Sequence, residues 1–148
     1  MASSLLIGGV TAGLHIRIAA PEGFHPTSLT MAEVRRLEAE SGGSATVITD
    51  PVEAVIGADV IATDSWKSMG QQRNDQELVS LRPYQVNSAL LAHTGKSTIV
   101  MHCMPAHRGV EITDEMMDGP ASAVWDQAEN RLHTEKALLV WLFTQGVQ

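Results

Sequence analysis

"STIVMHCMPAHRG", residues 97–109, opens as a β-branched apolar run and ends on the single cysteine of the chain. Histidines stand on both sides of that cysteine, at 102 and 107, and a proline follows two residues later. Val, Ile and Thr favour a pleated, buried surface, and Pro cannot continue a ladder, so the run predicts a strand that stops at the cysteine. A second run of the same kind, "DVIATD" (59–64), leads into "SWKSMGQQ" (65–72). Buried strands of this type belong to parallel sheets with helices on both faces. Ligands of open α/β sheets sit beyond the carboxyl ends of the strands. Asp64 and Cys103 are therefore placed where such a fold carries out its chemistry.

The rest of the chain supports this reading. Residues 2–12 have helical spacing and end at Gly13. "LHIRIAAP" (14–21) alternates and stops at a proline, as a strand does. "TSLTMAEVRRLEAESGG" (27–43) has a capping start and a double-glycine end, the marks of a helix. "ATVITD" (45–50) reads as a strand. "DPVEAVIGA" (50–58) reads as a short helix with Asp50 as N-cap and Pro51 at its first position. "RPYQVNSALLAHTG" (82–95) is predicted as one helix closed by Gly95. "ITDEMMD" (112–118) is a helical turn, and the chain ends in a long amphipathic helix within 122–146. The prediction is four strands alternating with helices in one domain.

Composition narrows the function. With 148 residues and 44% hydrophobic content, the chain can form a folded core. A net charge of −7 argues against a general nucleic-acid or anionic-membrane surface. One cysteine cannot form an internal disulfide, and the expected compartment is the cytoplasm. The start "MASSLLIGGVTAG" has no positive n-region and is broken by Gly8 and Gly9, so it does not read as a signal peptide. No dinucleotide fingerprint, P-loop or nucleophile elbow is present.

Each candidate residue has a functional and a structural reading. Cys103 is either a buried core thiol or a strand-end thiolate that holds an amine, the latter if nearby charge lowers its pKa. Asp64 is either a turn aspartate or a carboxylate for a substrate ammonium. Ser68, Met69 and Gly70 form a loop where backbone can approach a ligand. Arg131 either pairs with Glu129 or Glu135, or directs its planar fork at an oxyanion. Trp125, Leu132, Leu139 and Trp141 read as packing residues. His102, Cys103 and His107 lack the usual spacing of metal ligands.

Four segments in this order, "DVIATDSWKSMGQQ", "YQVNSALL", "MHCMPAHRG" and "EITDEMMDGPASAVWDQAENRLHTEKALLVWL", resemble the carboxy-terminal half of the ornithine carbamoyltransferases over nearly the whole chain. The resemblance implies a Rossmann-like open parallel sheet covered by helices on both faces, lacking the family's central first strand. It implies that residues 1–148 are the ornithine-binding domain of an enzyme that moves a carbamoyl group from carbamoyl phosphate to the side-chain amine of L-ornithine. The products are citrulline and phosphate, in a step of arginine biosynthesis or the urea cycle, with no metal or organic cofactor. By the same resemblance, Asp64, Ser68 and Met69 bind ornithine. Cys103 and Arg131 are catalytic. Cys103, Met104 (through its carbonyl) and Arg131 meet carbamoyl phosphate. Met104 stands where the family usually has leucine.

The family's amino-terminal domain, its S-T-R-T-type loop, its H-P-x-Q segment and an Asn-Asn pair are not found in this sequence. Binding of carbamoyl phosphate is thus expected only with that domain. The missing strand is expected between two pairs of strands, and the last helix is expected to lack a partner for Leu138, Leu139 and Trp141. The family is typically trimeric, so a homo-oligomer is a further expectation. The alternative reading is a free-standing amino-acid-binding or interaction module that complements a separate amino-terminal chain.

Overall fold

The computed structural model describes residues 1–67 and 74–145. Helices and strands alternate: α1 (Ala2–Thr11), β1 (His15–Ala19), α2 (Ser28–Ser41), β2 (Ser44–Ile48), α3 (Pro51–Val55), β3 (Val60–Thr63), α4 (Asp75–Leu81), α5 (Ser88–Ala92), β4 (Ile99–His102), α6 (Asp114–Asp118) and α7 (Val124–Gln145). Local chemistry sets several of these bounds. The Thr27 hydroxyl caps α2 by accepting from the Thr30 N–H, and Gly42 ends that helix at φ +74°. Asp50 caps α3 by accepting from the Val52 N–H.

The α/β fold takes the form of small parallel sheets flanked by helices. Among the described residues, β1 pairs with β2 and β3 pairs with β4, both parallel, and no ladder joins the two pairs. Each pair has its own core. Leu6, Val10, Val34 and Leu37 of α1 and α2 cluster over β1–β2. Val55, Ile61, Val86, Leu90, Val100, Ile112, Met116, Met117 and Val124 form the larger core around β3–β4. Full burial of one such side chain stabilises by about 1.5–3 kcal/mol. Polar contacts connect the halves: the Arg17 guanidinium donates to the Ile56 carbonyl at 2.8 Å, and the Tyr84 hydroxyl to the Thr49 carbonyl at 2.5 Å.

Two sequence expectations are corrected. The single helix predicted over 82–95 is split into a 3-10 turn, Arg82–Tyr84, and α5. Val86 between them turns its backbone to the neighbouring segment. Its N–H donates to the Glu111 carbonyl at 2.9 Å, and its carbonyl accepts from the Thr113 N–H at 3.1 Å. Asn87 then restarts the helix by capping the Leu90 N–H. The second correction is at α7. Trp125 and Leu132, expected to pack, are exposed, whereas Leu138, Leu139 and Trp141 are exposed as the expected lack of a partner for this helix requires, with Leu142 and Phe143 beside them. Beyond its first turns α7 leaves the core, and Phe143 is 74% accessible. Among the described residues no helix is long and apolar enough to cross a membrane.

Candidate functional site at the ends of β3 and β4

Strand register puts the two central candidates side by side. In the parallel ladder Thr63 lies opposite His102, so the next residues, Asp64 and Cys103, leave the sheet at the same level. The Cys103 thiol donates to Asp64 Oδ1 at 2.9 Å, and the same oxygen accepts the Ser65 N–H at 2.7 Å. Burial, followed by the hydrogen bond and charge of Asp64, pushes the Cys103 pKa up to about 12. The thiolate considered from the sequence is therefore replaced by a neutral thiol that acts as a donor. The main cause is burial, and the hydrogen bond and charge of the carboxylate beside it add to it.

The turn after Cys103 is held on several sides. Met104 adopts φ +54°, a left-handed conformation that costs a non-glycine residue about 1–2 kcal/mol. Its N–H donates to His102 Nδ1 at 2.8 Å, and the peptide from Met104 to Pro105 is cis. The Ser65 hydroxyl donates to the Pro105 carbonyl, which ties the β3 loop to the β4 loop. Because His102 Nδ1 accepts, the ring proton lies on Nε2, which faces Glu111 Oε1 at 3.3 Å. Glu111 is fully buried; its Oε1 also accepts the His107 N–H, while its Oε2 has no partner among the described residues.

Helix α7 supplies the far wall. Gln127, in its first turn, accepts the His102 N–H at 2.9 Å and so ties the helix to the end of β4. Arg131 is one helical turn further on, and residues four apart share a helix face. Asp64, Cys103, Met104, Gln127 and Arg131 line one cavity of about 690 Å³, together with Lys67. Four of the six residues expected from the sequence are thus brought together. Ser68 and Met69 lie outside the described residues.

Sequence reasoning missed Glu111, Gln127 and Lys67. Gln127 had a readable signal in its spacing from Arg131. Glu111 had none, since its partners are set by a turn whose backbone geometry is not written in residue types. Lys67 lay inside a loop read for its Ser-Met-Gly residues.

Comparison with known proteins identifies the family. The family described as aspartate/ornithine carbamoyltransferase, Asp/Orn binding domain, matches residues 1–142. The ornithine carbamoyltransferase of Rhodococcus jostii (strain RHA1) is 54% identical over 146 residues, covering 98% of this chain and 46% of the relative. That of Mycobacterium ulcerans (strain Agy99) is 54% identical over 147 residues, covering 99% of this chain and 48% of the relative. The chain thus spans about half the length of these curated relatives. Among solved structures, ornithine carbamoyltransferase from Pyrococcus furiosus superposes with a TM-score of 0.88 at 48% identity, covering 94% of this chain and 45% of that one. The anabolic enzyme from Campylobacter jejuni gives a TM-score of 0.91 at 29% identity, covering 97% and 48%. With a family match over residues 1–142, the chain belongs to the aspartate/ornithine carbamoyltransferase family, as an Asp/Orn binding domain.

Proposed function

We propose that this chain supplies the ornithine-binding half of a carbamoyl transfer from carbamoyl phosphate to the side-chain amine of L-ornithine. The observation that carries the reading is the single cavity lined by Asp64, Cys103, Met104 and Arg131. Asp64 is the charge partner for the side-chain ammonium of ornithine. The neutral Cys103 thiol, already a donor to Asp64, holds that carboxylate in place. Once the ammonium has passed a proton to the Asp64 carboxylate, its lone pair attacks the carbamoyl carbon, and the second proton that nitrogen sheds leaves with the phosphate. A C–N bond forms, and the C–O bond to phosphate breaks with its electron pair leaving on phosphate. Arg131 faces the developing negative charge, which a positively charged side chain aimed at it stabilises. Holding both reactants in one cavity supplies much of the remaining acceleration. Ser68 and Met69 hold the amino-acid end of ornithine in this reading.

Carbamoyl phosphate binds only when the rest of a full-length enzyme is joined to this half, so the chain alone forms no measurable citrulline. A second reading is an amino-acid-binding or interaction module that complements a separate amino-terminal chain, in the cytoplasm and as a homo-oligomer. Its support is the pair of unjoined two-stranded sheets and the uncovered apolar face of α7. Mixing with an amino-terminal carbamoyltransferase fragment separates the two: restored turnover favours the complementing module.

The deciding experiment is a calorimetric melt with and without saturating L-ornithine, because a ligand selective for the folded state must raise the midpoint. The expected result is an upward shift that is lost in Asp64→Asn. A cooperative melt that L-ornithine leaves unmoved would overturn ornithine binding by this chain.

A further inference from the structure

One face of the β3–β4 sheet is left without cover. Ile61 and Val100 point into the larger core, toward Leu90 of α5, Met116 and Met117 of α6 and Val124 at the start of α7. Side chains alternate across a strand, so Val60 and Ala62 point the other way, opposite Ile99 and Met101 in the ladder. Val60 and Ile99 are 44% and 46% accessible, and Ala62 is exposed beside them. The face of β1–β2 turned away from α1 and α2 carries Arg17 opposite Thr46, both exposed, as a solvated face does. Parallel sheets are normally covered on both faces. An apolar outer face on β3–β4 therefore marks a contact surface.

The same chain exposes a helix that matches it. Helix α7 is apolar at every position from Leu138 to Phe143, and a helix apolar on all sides is one that needs burial. Both surfaces are exposed in one chain, so α7 does not cover its own sheet. We propose that two copies of the chain exchange this contact: α7 of each packs on the outer β3–β4 face of the other, about a two-fold axis. Val60, Ile99, Leu138, Leu139, Trp141 and Phe143 are 44–74% accessible. Since a fully covered aromatic side chain buries about 150–250 Å², these six offer roughly 700 Å² per copy. A pair then buries roughly 1,400 Å², inside the range of about 1,200–2,000 Å² that stable specific interfaces need. None of the six lines the cavity of Asp64 and Cys103, so the contact does not rest on the proposed function.

Sedimentation velocity on the whole chain tests the exchange. The wild type should pass from monomer to dimer as concentration rises and stop there, because a two-fold contact closes on itself. Val60→Gln with Ile99→Gln removes the face, and Trp141→Glu with Phe143→Glu removes the helix stripe. Each double variant should weaken the dimer at least tenfold while keeping a cooperative melt as a dilute monomer. An equimolar mixture of the two should dimerise more tightly than either variant alone, because the intact face of one takes the intact helix of the other. Gln is neutral, so no charge pair with Glu can imitate that result. A wild type that stays monomeric, or that grows past the dimer, overturns the proposal. Wild-type association by the face variant overturns it in favour of helix-to-helix pairing, and by the helix variant in favour of face-to-face pairing. A mixture no tighter than its components overturns the exchange. Should the face variant lose its cooperative melt, Ala62→Gln blocks the same face at one exposed position, and the same outcomes apply.

Discussion

The Cys103 thiol donates a 2.9 Å hydrogen bond to Asp64 Oδ1, across the carboxyl ends of two parallel strands. Burial and this bond keep Cys103 a neutral thiol that donates to the carboxylate. The pair therefore presents one negative charge to the cavity, suited to one ammonium group. Removing that charge should free the thiol. In Asp64→Asn the pH profile of Cys103 alkylation should move to lower pH by ~1 unit, since a like charge within contact raises a pKa by about that much or more. An unshifted profile would mean that burial alone sets the thiol.

The same pair links stability to alkaline pH. The ordinary thiol value is 9.0, and in the folded chain it is raised to about 12. Between these values the unfolded chain has lost the proton and the folded chain retains it. Stability is therefore fully present below pH 9 and falls as pH rises toward 12. Urea midpoints across this window should fall more steeply for the wild type than for Cys103→Ala. Parallel slopes would show that the thiol does not couple to folding.

Much of this site was legible because strand ends are legible. Asp64 and Cys103 each follow a β-branched run, and parallel pairing makes strand ends meet. Arg131 was readable as a candidate, but its place in the cavity depends on Gln127 anchoring α7 to the His102 N–H. The helix predicted over 82–95 failed at Val86, where ladder bonds to Glu111 and Thr113 outweigh local helical preference. Helix α4 was not predicted, although Asn74 and Glu77 form a reciprocal capping box that a search for N-x-x-E would find. The exposure of Leu138, Leu139 and Trp141 on α7 followed from the resemblance and not from the helix's own pattern, since an amphipathic face states that a partner is needed, not where it lies.

Glu111 gives a test of the turn that carries Cys103 and Met104. One of its oxygens accepts from His102 and from the His107 N–H inside a fully buried environment. Glu111→Ala strands both donors and should cost about 2–4 kcal/mol in urea unfolding, because unpaired buried polar groups bear their full desolvation. Glu111→Gln keeps an accepting oxygen and places an amide at the position of the orphan Oε2, so its loss should be clearly smaller. Equal losses would argue that the charge, rather than the two hydrogen bonds, holds the turn.

Two glycines should respond in opposite directions to alanine. A Cβ on Gly43 would come within 2.6 Å of the Val10 carbonyl and 2.8 Å of the Leu14 carbonyl, both backbone atoms with little freedom. Gly43→Ala should force α1 away from β2 and destabilise by about 1–3 kcal/mol. Gly8, inside α1, has nothing within 4 Å of its Cβ position. Gly8→Ala should stabilise by about 0.5–1 kcal/mol, by removing backbone freedom from the unfolded chain. Thermal midpoints of the two variants check the contrast, and a lower midpoint for Gly8→Ala would contradict the open space beside it.

The apolar face of α7 should behave as surface in this chain. Trp141 is 57% accessible and Phe143 74%, with Leu138, Leu139 and Leu142 beside them. Side chains that touch no core contribute little to folding, so Trp141→Glu with Phe143→Glu should change stability by no more than about 1 kcal/mol, roughly 0.5 for each surface change. The same change should lower dye binding and concentration-dependent association, because contiguous exposed apolar surface drives both. Sedimentation velocity over a range of concentrations, with parallel melts, separates the two effects. A large drop in midpoint would show that α7 folds back onto the domain in solution, and unchanged association would remove this face as its cause.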